Sequence, residues 1–268
     1  AQEAAPPEPA PRPPVPILTG PALPLSRAET AQLAANVERG RLLANIARAG
    51  QIATQDMLVR VPDPNAAGIS GWIAVPEGNA TAVIFYAEGA DGAPPAAVYR
   101  GSVLGGRMVS HRIFLTGTRP PLSPIEARMA AARRATDSLD HQPCGGQDFN
   151  VFVVPPTTPS GPIDVYQFSA QSQRGHYPMG GHYKTTVAAD GGISSSHGLA
   201  AVCADTAVAD TPAGSPAAPV RIAPIVDALP NELHVFLTMW TGHPLIVAAG
   251  DPVRNFAVGS DRIAEMPR

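Results

Sequence analysis

Residues 71–92, "GWIAVPEGNATAVIFYAEGADG", and residues 96–117, "AAVYRGSVLGGRMVSHRIFLTG", decide the fold. Each contains short runs of Val, Ile, Tyr and Phe, the residues that fit a pleated, half-buried surface. The runs are broken at Glu77-Gly78-Asn79, Asp91-Gly92 and Gly105-Gly106, where glycine supplies the positive φ that tight connections require. Together the two stretches read as a four-stranded antiparallel meander.

Working outward, "SRAETAQLAANVERGRLLANIARAG" (26–50) opens with a Ser26-x-x-Glu29 capping box and ends at Gly50, the punctuation of a helix. Leu33, Val37, Leu43, Ile46 and Ala47 form its apolar side, with Gly40 as a weak point near the middle. A second helix is signalled by "SPIEARMAAARRATDSL" (123–139), in which Ser123 caps, Pro124 takes the first position and Glu126 closes the box. Its stripe runs Ile125, Met129, Ala132, Thr136, Leu139, leaving Arg128, Arg133 and Arg134 on a solvated face. Strands resume with "FNVFVVPP" (149–156), "IDVYQFSA" (163–170), "ELHVFLTMW" (232–240) and "PLIVAAG" (244–250), while "DTAVADTPAGSPAAPVR" (205–221) is a low-complexity loop. No βαβ alternation occurs. The expected class is α+β: a mainly antiparallel sheet with two principal helices, the strand-rich second half stapled by one disulfide. Residues 1–25 hold nine prolines and read as a disordered, extended spacer. Residues 26–268 then form one domain, or two packed halves, 26–120 and 121–268.

Composition bounds the partners. A net charge of −3, with 15 % charged residues, offers no basic face for nucleic acid. No apolar run reaches the roughly 18–20 residues of a membrane helix. The chain begins Ala-Gln, as after removal of a signal peptide, and without the N-terminal cysteine of a lipid anchor. A periplasmic or extracellular location is therefore expected, and there Cys144 and Cys203, the only cysteines, pair most simply with each other. The competing use of Cys144 is as a thiolate beside His141 in "DHQPCGG". Lys184 is the only lysine among 19 basic residues, so any Schiff-base chemistry has one candidate.

Phosphate loops, dinucleotide fingerprints, G-x-S-x-G elbows, H-E-x-x-H and zinc-spaced cysteine pairs are all missing from the sequence. The one concentration of ligand-type residues is "RGHYPMGGHYKTTVAADGGISSSHG" (174–198), with His176, His182 and His197. Asp190-Gly191 reads as a two-residue hairpin turn that returns His197 near His182. Two readings stand: a zinc ion shared by the three imidazoles, or sheet-surface histidines resting on Tyr177 and Tyr183. His234 is placed on a strand face with Glu232 and Phe236; His111 and His243 lack sequence partners. Glu88 with Asp91 reads as a solvated turn carboxylate pair rather than a general acid, and Ser194, Ser195 and Ser196 read as polar strand residues, not as nucleophiles.

Taken together, "RPPLSPIEARMAAARRA", "CGGQDFNVFVVPP", "QSQRGHYPMGGHYKTTVAADGGISSS" and "ELHVFLTMWTGHPLIVAAG" resemble segments of a group of exported proteobacterial proteins with no assigned activity, over roughly residues 26–265. The resemblance implies export and a shared fold, and no chemistry. The expected function is a non-catalytic binding or envelope-associated module for a small-molecule or envelope partner, with no cofactor. The alternative is an exported hydrolase, metal-assisted by zinc at His176, His182 and His197.

Overall fold

A computed structural model describes residues 24–200, 202–212, 214–225 and 227–267. Residues 1–23 of the expected proline-rich spacer lie outside the described residues. Helix α1 (Arg27–Arg60) leads into the meander β1 (Ile69–Glu77), β2 (Ala80–Ala87), β3 (Ala96–Leu104) and β4 (Arg107–Ile113). All three pairings in it are antiparallel and sequential, as the turn glycines predict. Helix α2 (Pro124–Ala135) precedes β5 (Phe149–Val154), β6 (Ile163–Ser169), β7 (His176–Pro178), β8 (Tyr183–Val187) and β9 (Ile193–Gly198). Of these, β5-β6-β8-β9 form a second antiparallel sheet, while β7 leaves it to pair with β10 (Asp205–Ala207). The chain closes with β11 (Val220–Arg221), α3 (Glu232–Thr241), β12 (Leu245–Ala249), β13 (Arg254–Val258) and β14 (Ile263–Glu265). Only the short β11–β12 pairing in that last sheet is parallel. The fold is α+β.

Period-two alternation sorts the core into two faces. Ala74, Val83, Phe85, Phe152, Val154, Tyr166 and Phe168 point to one side, where they pack with α1 and α3. Their neighbours Ile73, Ala82, Ile84, Tyr86, Val153, Ile163 and Val165 point to the other, where Met129, Ala130 and Ala132 of α2 cover them. The first two sheets meet side by side at β1 and β5, Trp72 touching Phe152 edge-on with ring centroids 6.1 Å apart.

Three elements differ from the sequence reading. Helix α1 runs through Gly50 to Arg60, because a β-carbon at Gly50 would stand 2.5 Å from the Trp72 ring, so the glycine makes room for the indole. It stops where Val61 precedes Pro62, which disfavours helical backbone. "ELHVFLTMW" is a helix, not a strand. Its residues 232–238 are buried without a gap, so no 3.6-residue period is visible, but its ends carry helix marks. Asn231 accepts the Leu233 N–H, and Gly242 ends the helix in the left-handed region at φ 76°. The low-complexity segment 205–221 contributes a short strand at each end, β10 and β11. The expected solvated arginine face is also partly tied down. Arg128 donates to the Pro159 and Gly161 carbonyls, and Arg134 pairs with Glu88.

Candidate functional site

The histidine-rich stretch is not one hairpin. Gly180 and Gly181 break it between β7 and β8, and both are needed where they stand. A β-carbon on Gly180 would lie 2.0 Å from the Val202 carbonyl oxygen and 3.0 Å from the Cys203 nitrogen. One on Gly181, at φ 65°, would lie 2.6 Å from the Cys144 nitrogen and 2.8 Å from its sulfur. The two glycines thus admit the two ends of the Cys144–Cys203 disulfide, whose α-carbons are 5.5 Å apart. Ser169 completes the junction: its Oγ accepts the Cys144 N–H at 2.8 Å and reaches the Gly180 and Gly181 carbonyls.

The three predicted metal ligands occupy separate settings. His176 Nδ1 meets Asp205 Oδ2 at 3.1 Å, an acidic partner brought by β10 from outside the stretch. His182 is 2 % exposed, with its Nδ1 accepting the Ser169 N–H at 3.1 Å and its Nε2–H donating to the Pro178 carbonyl at 2.9 Å. Burial holds its pKa down to about 4, against a smaller rise from the Pro178 bond, so the ring is neutral with no lone pair to spare. His197 pairs in register with Lys184 on the exposed strand β9. The β8–β9 connection is 188–192, closed by the Ala188 N–H on the Gly192 carbonyl with three residues, 189–191, inside that bond, rather than the two-residue turn expected. Among the described residues no group of three or more His, Cys, Asp or Glu side chains is placed to hold a metal ion. His234, read as a strand residue beside Glu232 and Phe236, is instead buried inside α3, its Nδ1 accepting the Asn231 N–H.

What the junction does build is a pocket. Phe152, Phe168, Phe236, Leu237 and Trp240 form its apolar wall, Asn150, Ser169 and Gln171 its polar edge, and Tyr177 and His182 its side toward β7. It holds about 50 Å³, with Trp240 stacked on Phe236 at 5.6 Å and 15°. Tyr177 also lines an open cleft of about 390 Å³ with Arg174, Asp210, Thr211 and His243. Small-molecule pockets run to roughly 300–1,000 Å³, so the cleft has that scale, while the aromatic pocket beside it has room for only one small group.

Two polar clusters flank the pocket's strands. On the α3 side, Glu232 Oε1 accepts from Tyr166 Oη at 2.8 Å and from Lys184 Nζ at 3.1 Å. The nearby ammonium keeps the Glu232 carboxyl ionised despite burial, and burial followed by the Glu232 charge pushes the Tyr166 phenol far up. The one lysine of the chain is therefore held in an ion pair.

The opposite face carries an arrangement that the sequence reading missed. His141 Nδ1 lies 2.7 Å from Gln167 Oε1, and its Nε2 lies 3.0 Å from Ser196 Oγ, which is in turn 2.9 Å from Thr185 Oγ1. An amide oxygen only accepts, so the proton sits on Nδ1 and Nε2 accepts from Ser196. Ser196 then takes its own hydrogen bond from Thr185. The faint sequence trace is alternation: Thr185 pairs Ser196 and Gln167 pairs Tyr183 across adjacent ladders, which brings all four to one face. His141, 26 residues away from Gln167, stands out in the sequence only as a neighbour of Cys144, and nothing there links it to Gln167 or Ser196. Compared with models of protein families, with curated proteins and with solved structures, the chain matches none.

Proposed function

We propose that the chain is an exported, periplasmic or extracellular binding module that takes a small ligand with one flat apolar end and one polar end. The observation that carries this reading is Tyr177, which borders both the aromatic pocket and the open cleft and so sets an apolar recess and a polar one on either side of a single ring. Partly exposed aromatic side chains beside a few convergent polar groups are the usual make-up of a ligand site. Trp240 and Phe236 offer the face for a ring, and Arg174 offers a charge-assisted donor for a carboxylate or similar acceptor. Export is supported by the disulfide, a bond that persists in oxidising compartments.

A panel of small aromatic carboxylates, followed by tryptophan emission and thermal shift, tests the assignment. A saturable response is expected, weakened at least about tenfold in Tyr177→Ala and in Arg174→Ala, each change losing one end of the ligand. A panel that gives no saturable response, or a response indifferent to both substitutions, overturns it.

A further inference from the structure

We propose that Ser196 is a nucleophilic serine, with His141 as its general base and Gln167 as the residue that positions the imidazole, competent for acyl transfer from small, unhindered esters. This site is separate from the two recesses beside Tyr177 and does not depend on them.

The geometry supplies the parts in their required order. Nucleophile and base are within hydrogen-bond reach, and the base is oriented by a third group that fixes its tautomer. Gln167 is buried and Thr185 fully so, while Ser196 is exposed and His141 half-exposed. The supporting groups are thus held by the sheet, and the reacting pair faces solvent. The relay is also not needed to fix the segment that carries His141. That segment is already held by His141 stacking on Tyr183 at 3.9 Å and 6°, by Tyr183 Oη bonding both the nitrogen and the oxygen of Gln142, and by the Cys144 disulfide.

In the step proposed, Ser196 Oγ forms a bond to the ester carbonyl carbon as its proton passes to His141 Nε2. The bond from that carbon to the leaving oxygen breaks, and the alcohol departs with the proton from Nε2. Water then repeats the sequence, releasing the acid and restoring Ser196. Thr185 Oγ1–H stays bonded to Ser196 Oγ when that oxygen gives up its proton. Because Ser196 stands on the open strand β9, exposed along its length, the substrate class is a short acyl ester rather than one demanding an enclosed cavity.

The test is adduct formation with a small alkyl fluorophosphonate, in which the Ser196 Oγ–P bond forms and fluoride leaves, read by intact mass and peptide mapping on the disulfide-intact chain. The expected result is one adduct on Ser196, absent in Ser196→Ala, unchanged in Ser194→Ala, and slowed about 100-fold or more in His141→Phe, the usual scale of a lost general base. Phenylalanine keeps a ring against Tyr183 while removing both nitrogens; His141→Gln serves as a second variant should the first fail to fold. No adduct, an adduct elsewhere, or a wild-type rate in a folded His141 variant overturns the proposal.

Discussion

His182 and His234 are both buried and both held down to about 4 by desolvation, whereas an unfolded imidazole takes its proton near 6.5. Between those values the unfolded chain binds more protons than the folded one. The stabilisation is thus complete above about pH 6.5 and is lost as the pH falls toward 4, on the order of 3 kcal/mol for each ring. Urea unfolding at pH 7 and pH 4.5 should show that loss, with a visibly shallower pH slope in His182→Gln, where an amide can still accept from Ser169 and donate to Pro178. Single residues were also where the sequence was least readable. Whether the imidazoles around "HYPMGGH" converge is decided by Gly180 and Gly181, whose missing side chains make space for a cysteine pair 59 residues apart in sequence. Nothing local in that stretch records its distant partner.

At the scale of elements, α1 and α3 cross where Gly40 faces Glu232 and Val235. A β-carbon at Gly40 would stand 2.6 Å from the Glu232 carbonyl oxygen and 2.6 Å from the Val235 β-carbon. The position read as a weak point of the helix is therefore its tightest contact. Intrinsic propensity favours alanine over glycine in a helix by about 1 kcal/mol, yet overpacking a core costs about 1–3 kcal/mol and here involves backbone. Gly40→Ala should accordingly destabilise by up to about 2 kcal/mol, opposite in sign to propensity, as read from the shift of the urea midpoint. Helix α1, with one wet and one dry side, was legible, its stripe Leu33, Val37, Leu43, Ile46, Ala47 being buried, and the meander was legible from its turn glycines even though β2 is covered on both faces. Helix α3 was not, because burial on every side erases the period that distinguishes helix from strand. Strands β13 and β14 also went unread: β14 has only three residues, and β13 carries just two large apolar residues, Phe256 and Val258, although these alternate with exposed Asn255 and Ala257.

For the whole molecule, the disulfide joins the segment after α2 to the segment before β10 across 59 residues. Closing a loop of that size stabilises by about 4 kcal/mol in the chain-entropy picture. The Cys144→Ser/Cys203→Ser double variant should lose about that much in denaturant unfolding. It should also raise amide-exchange rates around Ser169, Gly180 and Gly181, which are bonded to or packed on the bridge, more than those in the β1–β4 meander. A second closure links the two extremes of the described chain. Arg254 on β13 donates to Glu29 in the first turn of α1 at 2.6 Å and to Glu265 on β14 at 2.6 Å, while Leu33 packs with Leu229, Ala249 and Phe256. A ribosome delivers Glu29 and Leu33 at least 196 residues (229 − 33) ahead of these anchors. The first turn of α1 accordingly lacks these partners until β12–β14 have been synthesised, although the rest of the helix can already settle on the β1–β4 meander.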